Sequence, residues 1–228
     1  MCGVTKGYMK NTDSIKGKIT YDKLFWLFMA GSLIGVLVEG SFCLILRGKW
    51  ESHVVSMVGP FNALYGAGAM LFYCTSSLLR KRKLITKVVI ITVIATVLEL
   101  LCGILLENVL GMKAWDYSNA FLNYKGHICL FFTLGWAIAG LVFCLLFNKV
   151  DALLCKMHGK ALHIICIVLS VLMAVNIVLT AACIVRWSER HYNKAPDTKI
   201  GKVIDTYAPD DLMKSRFVEW FFVDTIKK

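Results

Sequence analysis

Two carboxylates stand where hydrocarbon would make them costly. Glu39 and Glu99 each lie inside a run of apolar residues long enough to cross a bilayer. An acid near the bilayer centre costs about 2.5–3.5 kcal/mol on insertion scales, so it persists only when protonated, paired or turned toward water. Counting about 1.5 Å per helical residue, Glu99 falls a little past the middle of its run and Glu39 in the outer third. Glu107 follows two turns after Glu99, near the same mouth. Gly31, Gly35 and Glu39 share one helix face, and Thr92, Thr96, Glu99, Gly103 and Glu107 form a second stripe of small and polar residues. Small residues let helices approach closely in lipid, so both acids are expected to point into a bundle. A direct contact between the first and third spans would set Glu39 against Glu99, which suits proton coupling or a cationic or hydrogen-bonding substrate. The plainer alternative gives each acid a structural hydrogen bond to a neighbour such as Asn62, Tyr65 or Asn176.

Further polar residues cluster on the same side. The second apolar run opens Gly59-Pro60-Phe61-Asn62-Ala63-Leu64-Tyr65-Gly66. Proline is tolerated in a first helical turn, so the run is predicted to begin its helix at Pro60. Trp115-Asp116-Tyr117-Ser118 follows the third run, and His127 opens the fourth. Interfacial aromatics form a belt in many membrane proteins, whereas Asp116 is not needed for one and suits a turn cap. With His53, these residues make a polar vestibule of histidines and acids.

The elements that position these groups are membrane helices. The chain has 228 residues, 57% hydrophobic and 18% charged. Apolar runs are read at 24–46, 60–79, 88–106, 128–147 and 162–185. Each approaches the roughly 20 residues that span a 30 Å hydrocarbon core. The first is too long for the core of a cleavable signal and reads as an uncleaved helix. Basic residues crowd alternate segments: Lys6, Lys10, Lys16, Lys18 and Lys23; then Arg80, Lys81, Arg82, Lys83 and Lys87; then Lys149, Lys156 and Lys160. The intervening loops hold only Arg47, Lys49, Lys113 and Lys125. This asymmetry places the N-terminus in the cytoplasm and, with an odd number of spans, the C-terminus outside. Arg186, Arg190 and Lys194 beside the last span run against that orientation. The expected fold is an all-α polytopic bundle of about five transmembrane helices. A basic cytoplasmic segment covers residues 1–20, the transmembrane domain 21–186, and an extracytoplasmic tail 187–228. Within the tail, Pro209-Asp210-Asp211 followed by Met213, Phe217, Trp220 and Phe221 predicts a short amphipathic helix over 210–222.

Several chemistries lack their motifs. The nine cysteines include no CxxC pair and sit mostly in or beside apolar runs, where they read as small hydrophobes; no metal site, cofactor or disulfide framework is predicted. The net charge of +11 gathers beside the spans rather than in a nucleic-acid surface. No GxxxxGK[ST] loop, HExxH or GxSxG motif is present.

Glu39, Gly59-Pro60 with Tyr65-Gly66, Glu99, Trp115-Asp116-Tyr117-Ser118 and Gly126 through Trp136 occur in the order found in one bacterial family. Over Tyr21 to Val150 the chain resembles the type IV ABC transporter permease, or CmpB-like, family. The resemblance implies a membrane permease in the bacterial cytoplasmic membrane, with any ATPase on a separate chain. The chain departs from the family pattern where Val54 and Val55 replace an arginine before Gly-Pro, where Ala63 replaces a second proline, and at His127. If that arginine pairs with a membrane acid, His53 or His127 takes its place beside Glu39.

Three functions remain open from the sequence. One is a transport subunit whose path is lined by Glu39, Glu99, Glu107, Asn62, Tyr65, Trp115, Asp116, Tyr117 and His127, working in the lipid bilayer with a separate ATPase or as a homo-oligomer. The second is an intramembrane acid/base enzyme acting on a lipid or small metabolite. The third is a non-transporting assembly or sensor subunit.

Overall fold

A computed structural model describes residues 16–225; the basic residues Lys6 and Lys10 of the N-terminal segment and the last three residues lie outside the described range. Five helices build the bundle: α1 Tyr21–Arg47, α2 Ala63–Leu78, α3 Leu84–Leu110, α4 Leu130–Lys156 and α5 Lys160–His191. All but α2 are long and apolar enough to cross a membrane. Large apolar side chains such as Leu37 and Val38 on α1, Leu134 and Ile138 on α4, and Val171, Val175 and Val178 on α5 face outward. An apolar exterior of this extent fits lipid rather than water. The protein is an all-α polytopic membrane helix bundle.

Successive helices run in opposite directions. At one end, here the lysine end, the start of α1 meets the end of α2 and the end of α4, through Lys23, Tyr73 and Asp151. At the other, the Trp115 end, Glu39 of α1 meets Tyr65 of α2, and Glu99 of α3 meets Trp136 of α4. Both α4 and α5 extend beyond the apolar runs in the sequence, because their last turns are stabilised by packing rather than by lipid. Helix α5, 32 residues long, reaches about 48 Å and carries Arg186 to His191 past a 30 Å core.

The second apolar run does not begin its helix at Pro60. Asn62 is the N-cap of α2, its side chain accepting from the Leu64 N–H, and Gly59 at φ +75° turns the chain just before Pro60. The sixteen residues of α2 cover only about 24 Å. Before it, an irregular stretch, 54–62, lies against α5 about 24–30 Å from that helix's start, at Asn176 and Thr180. Irregular backbone inside a membrane protein needs its polar groups met by the protein or by a water-filled cavity. Here the Asn176 side chain accepts from the Val58 N–H at 3.1 Å and donates to the Val58 carbonyl at 2.8 Å, while Thr180 Oγ1 accepts from the Met57 N–H. Arg216, from the tail, donates to the Ser56 and Gly59 carbonyls. Asn176 therefore serves this segment and not either acid.

The tail folds over the Trp115 end. Helix α6, Lys199–Tyr207, and helix α7, Asp210–Arg216, are followed by β2, Phe221–Phe222, which pairs antiparallel with β1, Met112–Lys113. The expected helix over 210–222 is thus cut to seven residues. Met213 and Phe217 are drawn into a cluster with Leu110, Met112, Trp187 and Phe222, and the chain beyond Trp220 pairs with β1. Charge completes the docking. Arg186 donates to Asp205, Glu189 and the Lys194 carbonyl, and Arg190 to Asp205 and Asp210. Hydrogen bonds from Arg186 hold the Asp205 carboxyl below the usual carboxylate range; burial opposes this and the Arg190 charge reinforces it. A depressed folded pKa contributes stability that is present above the unfolded value and lost as pH falls through the folded one. The tail is therefore expected to stay docked at neutral pH and to loosen below about pH 4. Protease cleavage of the detergent-purified protein should rise within 195–222 in that window. Unchanged protection at pH 3 would show that the ion pairs do not hold the tail.

Candidate functional site

The groups with chemistry gather at the Trp115 end. Tyr65 donates its hydroxyl to Glu39 Oε2 at 2.5 Å. Gly35, one turn before Glu39, makes this possible: a Cβ there would lie 2.2 Å from the Tyr65 ring. His53 Nδ1 approaches the other oxygen, Glu39 Oε1, at 3.4 Å. Glu99 is buried, with 5% of its surface exposed, and accepts from two aromatic donors, Tyr117 Oη at 3.1 Å and Trp136 Nε1 at 2.9 Å. Burial, and the Glu99 carboxylate beside it, push the Tyr117 phenol well above its ordinary pKa, so it stays a donor. The Tyr117 ring stacks on Phe132 at 4.4 Å.

Glu39 and Glu99 do not face each other across a contact of α1 with α3. Helix α1 packs chiefly on α2, and α3 chiefly on α4. The Tyr65 and Trp136 rings, with centroids 5.9 Å apart, join the two halves, each ring carrying the donor of one acid. Among the described residues the Thr96 hydroxyl, one turn before Glu99, is buried without a hydrogen-bond partner.

A second set of charges lies one layer farther along α3. Glu107 Oε2 sits 3.1 Å from His127 Nε2 and 3.7 Å from Lys113 Nζ. Burial lowers the His127 pKa; Glu107 opposes this, and the Lys113 and Lys125 charges add to it. The neutral ring then donates through Nε2 to Glu107. Gly103 makes room for it, since a Cβ there would come within 2.8 Å of His127 Nδ1. Asp116 accepts from Ser118 and Lys113. Burial alone would raise its pKa, but hydrogen bonds from Ser118 and the Lys113 charge outweigh it and hold the carboxyl low. Asp116 thus shapes its loop. Trp115 does the same, donating to the His127 carbonyl, while Asn62 caps α2 and donates to the His53 carbonyl.

The structure therefore brings Glu39, Tyr65, Glu99 and Tyr117 into one site, sets Glu107 and His127 beside it, and leaves Asn62, Trp115 and Asp116 as its supports. Trp136 and Phe132 also belong to it. Both lie in the uncharged first half of α4, where nothing in their spacing separates a donor from packing. A buried trio at the lysine end has no counterpart in the sequence reading. Asp151 accepts from Lys23 Nζ at 2.6 Å, from the Tyr73 hydroxyl at 2.7 Å and from the Gly17 N–H at 2.7 Å.

No curated protein and no solved structure is similar enough to this chain to match it. A family model does match, over residues 26–181, which takes in most of α1, all of α2 to α4 and most of α5, and so every residue of the carboxylate site. The chain belongs to the family described as "Putative ABC-transporter type IV".

Proposed function

We propose that this protein is the membrane-embedded subunit of a transport complex in a bacterial cytoplasmic membrane, and that Glu39 and Glu99 line its solute path. One observation carries the reading: two carboxylates at membrane depth, each held by an aromatic donor and joined through the Tyr65–Trp136 ring pair. Structural acids in lipid need partners but have no reason to share one aromatic enclosure. Carboxylates beside ring faces suit a positively charged or hydrogen-bonding solute, because the faces attract cations. The buried Thr96 hydroxyl, without a partner one turn before Glu99, is available for a further hydrogen bond. The sequence carries no nucleotide-binding loop, so energy comes from an ATPase on another chain. The basic loops orient the lysine end toward the cytoplasm and the Trp115 end outward.

A membrane-impermeant thiol reagent applied to intact cells tests path and orientation together. Asn119→Cys in the exposed outer loop and Phe132→Cys beside Tyr117 should label. Lys81→Cys at the opposite end and Leu134→Cys on the lipid face should not. Labelling at Lys81→Cys would overturn the orientation. Silence at Phe132→Cys, equal to that at Leu134→Cys, would remove the path.

A further inference from the structure

Beside Glu39 the fold assembles a second set of groups that the chain's spacing conceals. Cys43 lies one turn after Glu39 on α1, and its side chain is buried. The chain leaves α1 through Gly48 in a left-handed turn and doubles back, carrying Glu51 and His53 onto the same spot. Cys43 Sγ and His53 Nε2 are 3.3 Å apart, and His53 Nε2 and Glu51 Oε2 are 3.9 Å apart. All three donor atoms fall within 4.8 Å of one another. Around a tetrahedral zinc ion, with sulfur at about 2.3 Å and nitrogen or oxygen at about 2.0–2.2 Å, neighbouring donors stand roughly 3.3–3.6 Å apart. The Cys43–His53 separation already lies at that spacing, while the His53–Glu51 separation is somewhat wider.

We infer that Cys43, Glu51 and His53 form a binding site for a divalent transition-metal ion of the zinc class. Two features argue against an accidental cluster. The third group of the set is not another acid but a thiol, and sulfur with imidazole selects zinc-like ions over magnesium or calcium. Moreover, the imidazole is already oriented as a ligand: Nδ1 faces Glu39 Oε1 at 3.4 Å, which leaves Nε2 turned to Cys43 and Glu51. A carboxylate behind a ligating histidine fixes its tautomer and raises its basicity. The His53 carbonyl is held as well, accepting from the Asn62 side chain at 2.9 Å. On binding, the Cys43 thiol gives its proton to solvent as the metal–sulfur bond forms, and neutral His53 donates the Nε2 lone pair. Three protein donors leave the fourth position to water. The ion ties the end of α1 to the strand of chain entering the irregular segment 54–62, so it clamps one wall of the carboxylate site.

Cobalt(II) reports such a site directly, because a thiolate ligand gives a charge-transfer absorption and tetrahedral geometry gives visible bands. The full-length protein in detergent should take up one equivalent of cobalt with both signals, and zinc should displace it. Cys43→Ser should abolish the charge-transfer band. His53→Ala, a change in a part-exposed loop residue, should weaken binding at least tenfold with helicity unchanged. Glu39→Gln, which keeps the side chain's shape but removes the carboxylate charge behind His53, should weaken it about 10–100-fold. Absence of the charge-transfer band in the unaltered protein would overturn the assignment, leaving a Cys43–His53 hydrogen bond. So would a band that persists undiminished in either Cys43→Ser or His53→Ala.

Discussion

Replacing Lys23 with methionine is expected to destabilise the protein by about 3–5 kcal/mol, the usual result of removing one partner from a buried ion pair. Both side chains are almost wholly enclosed, 2% exposed for Lys23 and 3% for Asp151. The carboxylate left behind would be enclosed by protein with little access to solvent. The pair also ties three helices together, since Tyr73 of α2 donates to the same Asp151 oxygen. The Gly17 N–H and carbonyl, the latter accepting from Ser77 and Arg80, extend the tie to the chain before α1. On the order of 10 °C should be lost from the melting temperature in detergent. The double variant Lys23→Met/Asp151→Asn should recover most of it, because the neutral amide can accept from the Gly17 N–H through its oxygen and donate through its N–H₂ to the Tyr73 oxygen, with no uncompensated charge. Equal melting of the single and double variants would mean that the charge pair contributes little.

The second large effect is expected on function. Glu99→Gln keeps the shape of the acid and can accept from only one of Tyr117 and Trp136 through its carbonyl; the other donor meets an amide N–H₂. A cost of about 1–3 kcal/mol follows for that donor, while the helix loses the expense of a membrane acid, about 2.5–3.5 kcal/mol. The two nearly cancel, so the variant should insert and fold. Glu99→Leu strands both donors but gains the same relief, and should also fold, less stably. Stability therefore separates structural from functional acids poorly here, and activity separates them well. Transport by Glu99→Gln should fall at least a hundredfold. Full transport by this variant, measured in proteoliposomes with the partner ATPase, would exclude Glu99 from the path.

Much of this was legible before any coordinates. Long apolar runs pointed to four of the helices, because in lipid a backbone has few alternatives to a helix. The two acids announced themselves by their cost. What escaped detection depended on contacts between distant residues. Lys23 reads as one more topology charge and Asp151 as a residue just past a span; only the antiparallel order of α1, α2 and α4 puts them together across 128 positions. Pro60 looked like a helix start because the run around it is apolar. The irregular segment exists because Asn176, Thr180 and Arg216 satisfy its backbone from afar. Trp136 was hidden for the opposite reason, as one apolar residue in an apolar helix. In the tail the helix start at Asp210 was legible, but Asp205 and the pairing of Phe221–Phe222 with Met112–Lys113 acquire meaning only when the end of α5 extends beyond the core.

The account stands on the two carboxylates engaging one solute. The most direct measurement is mass spectrometry of the small molecules that the purified, lipid-reconstituted protein retains after exposure to a cell extract. The account expects a cationic or hydrogen-bonding solute on the unaltered protein, depleted at least tenfold from both Glu39→Gln and Glu99→Gln while the folded fraction stays the same. An identical set of retained molecules on all three proteins would contradict it.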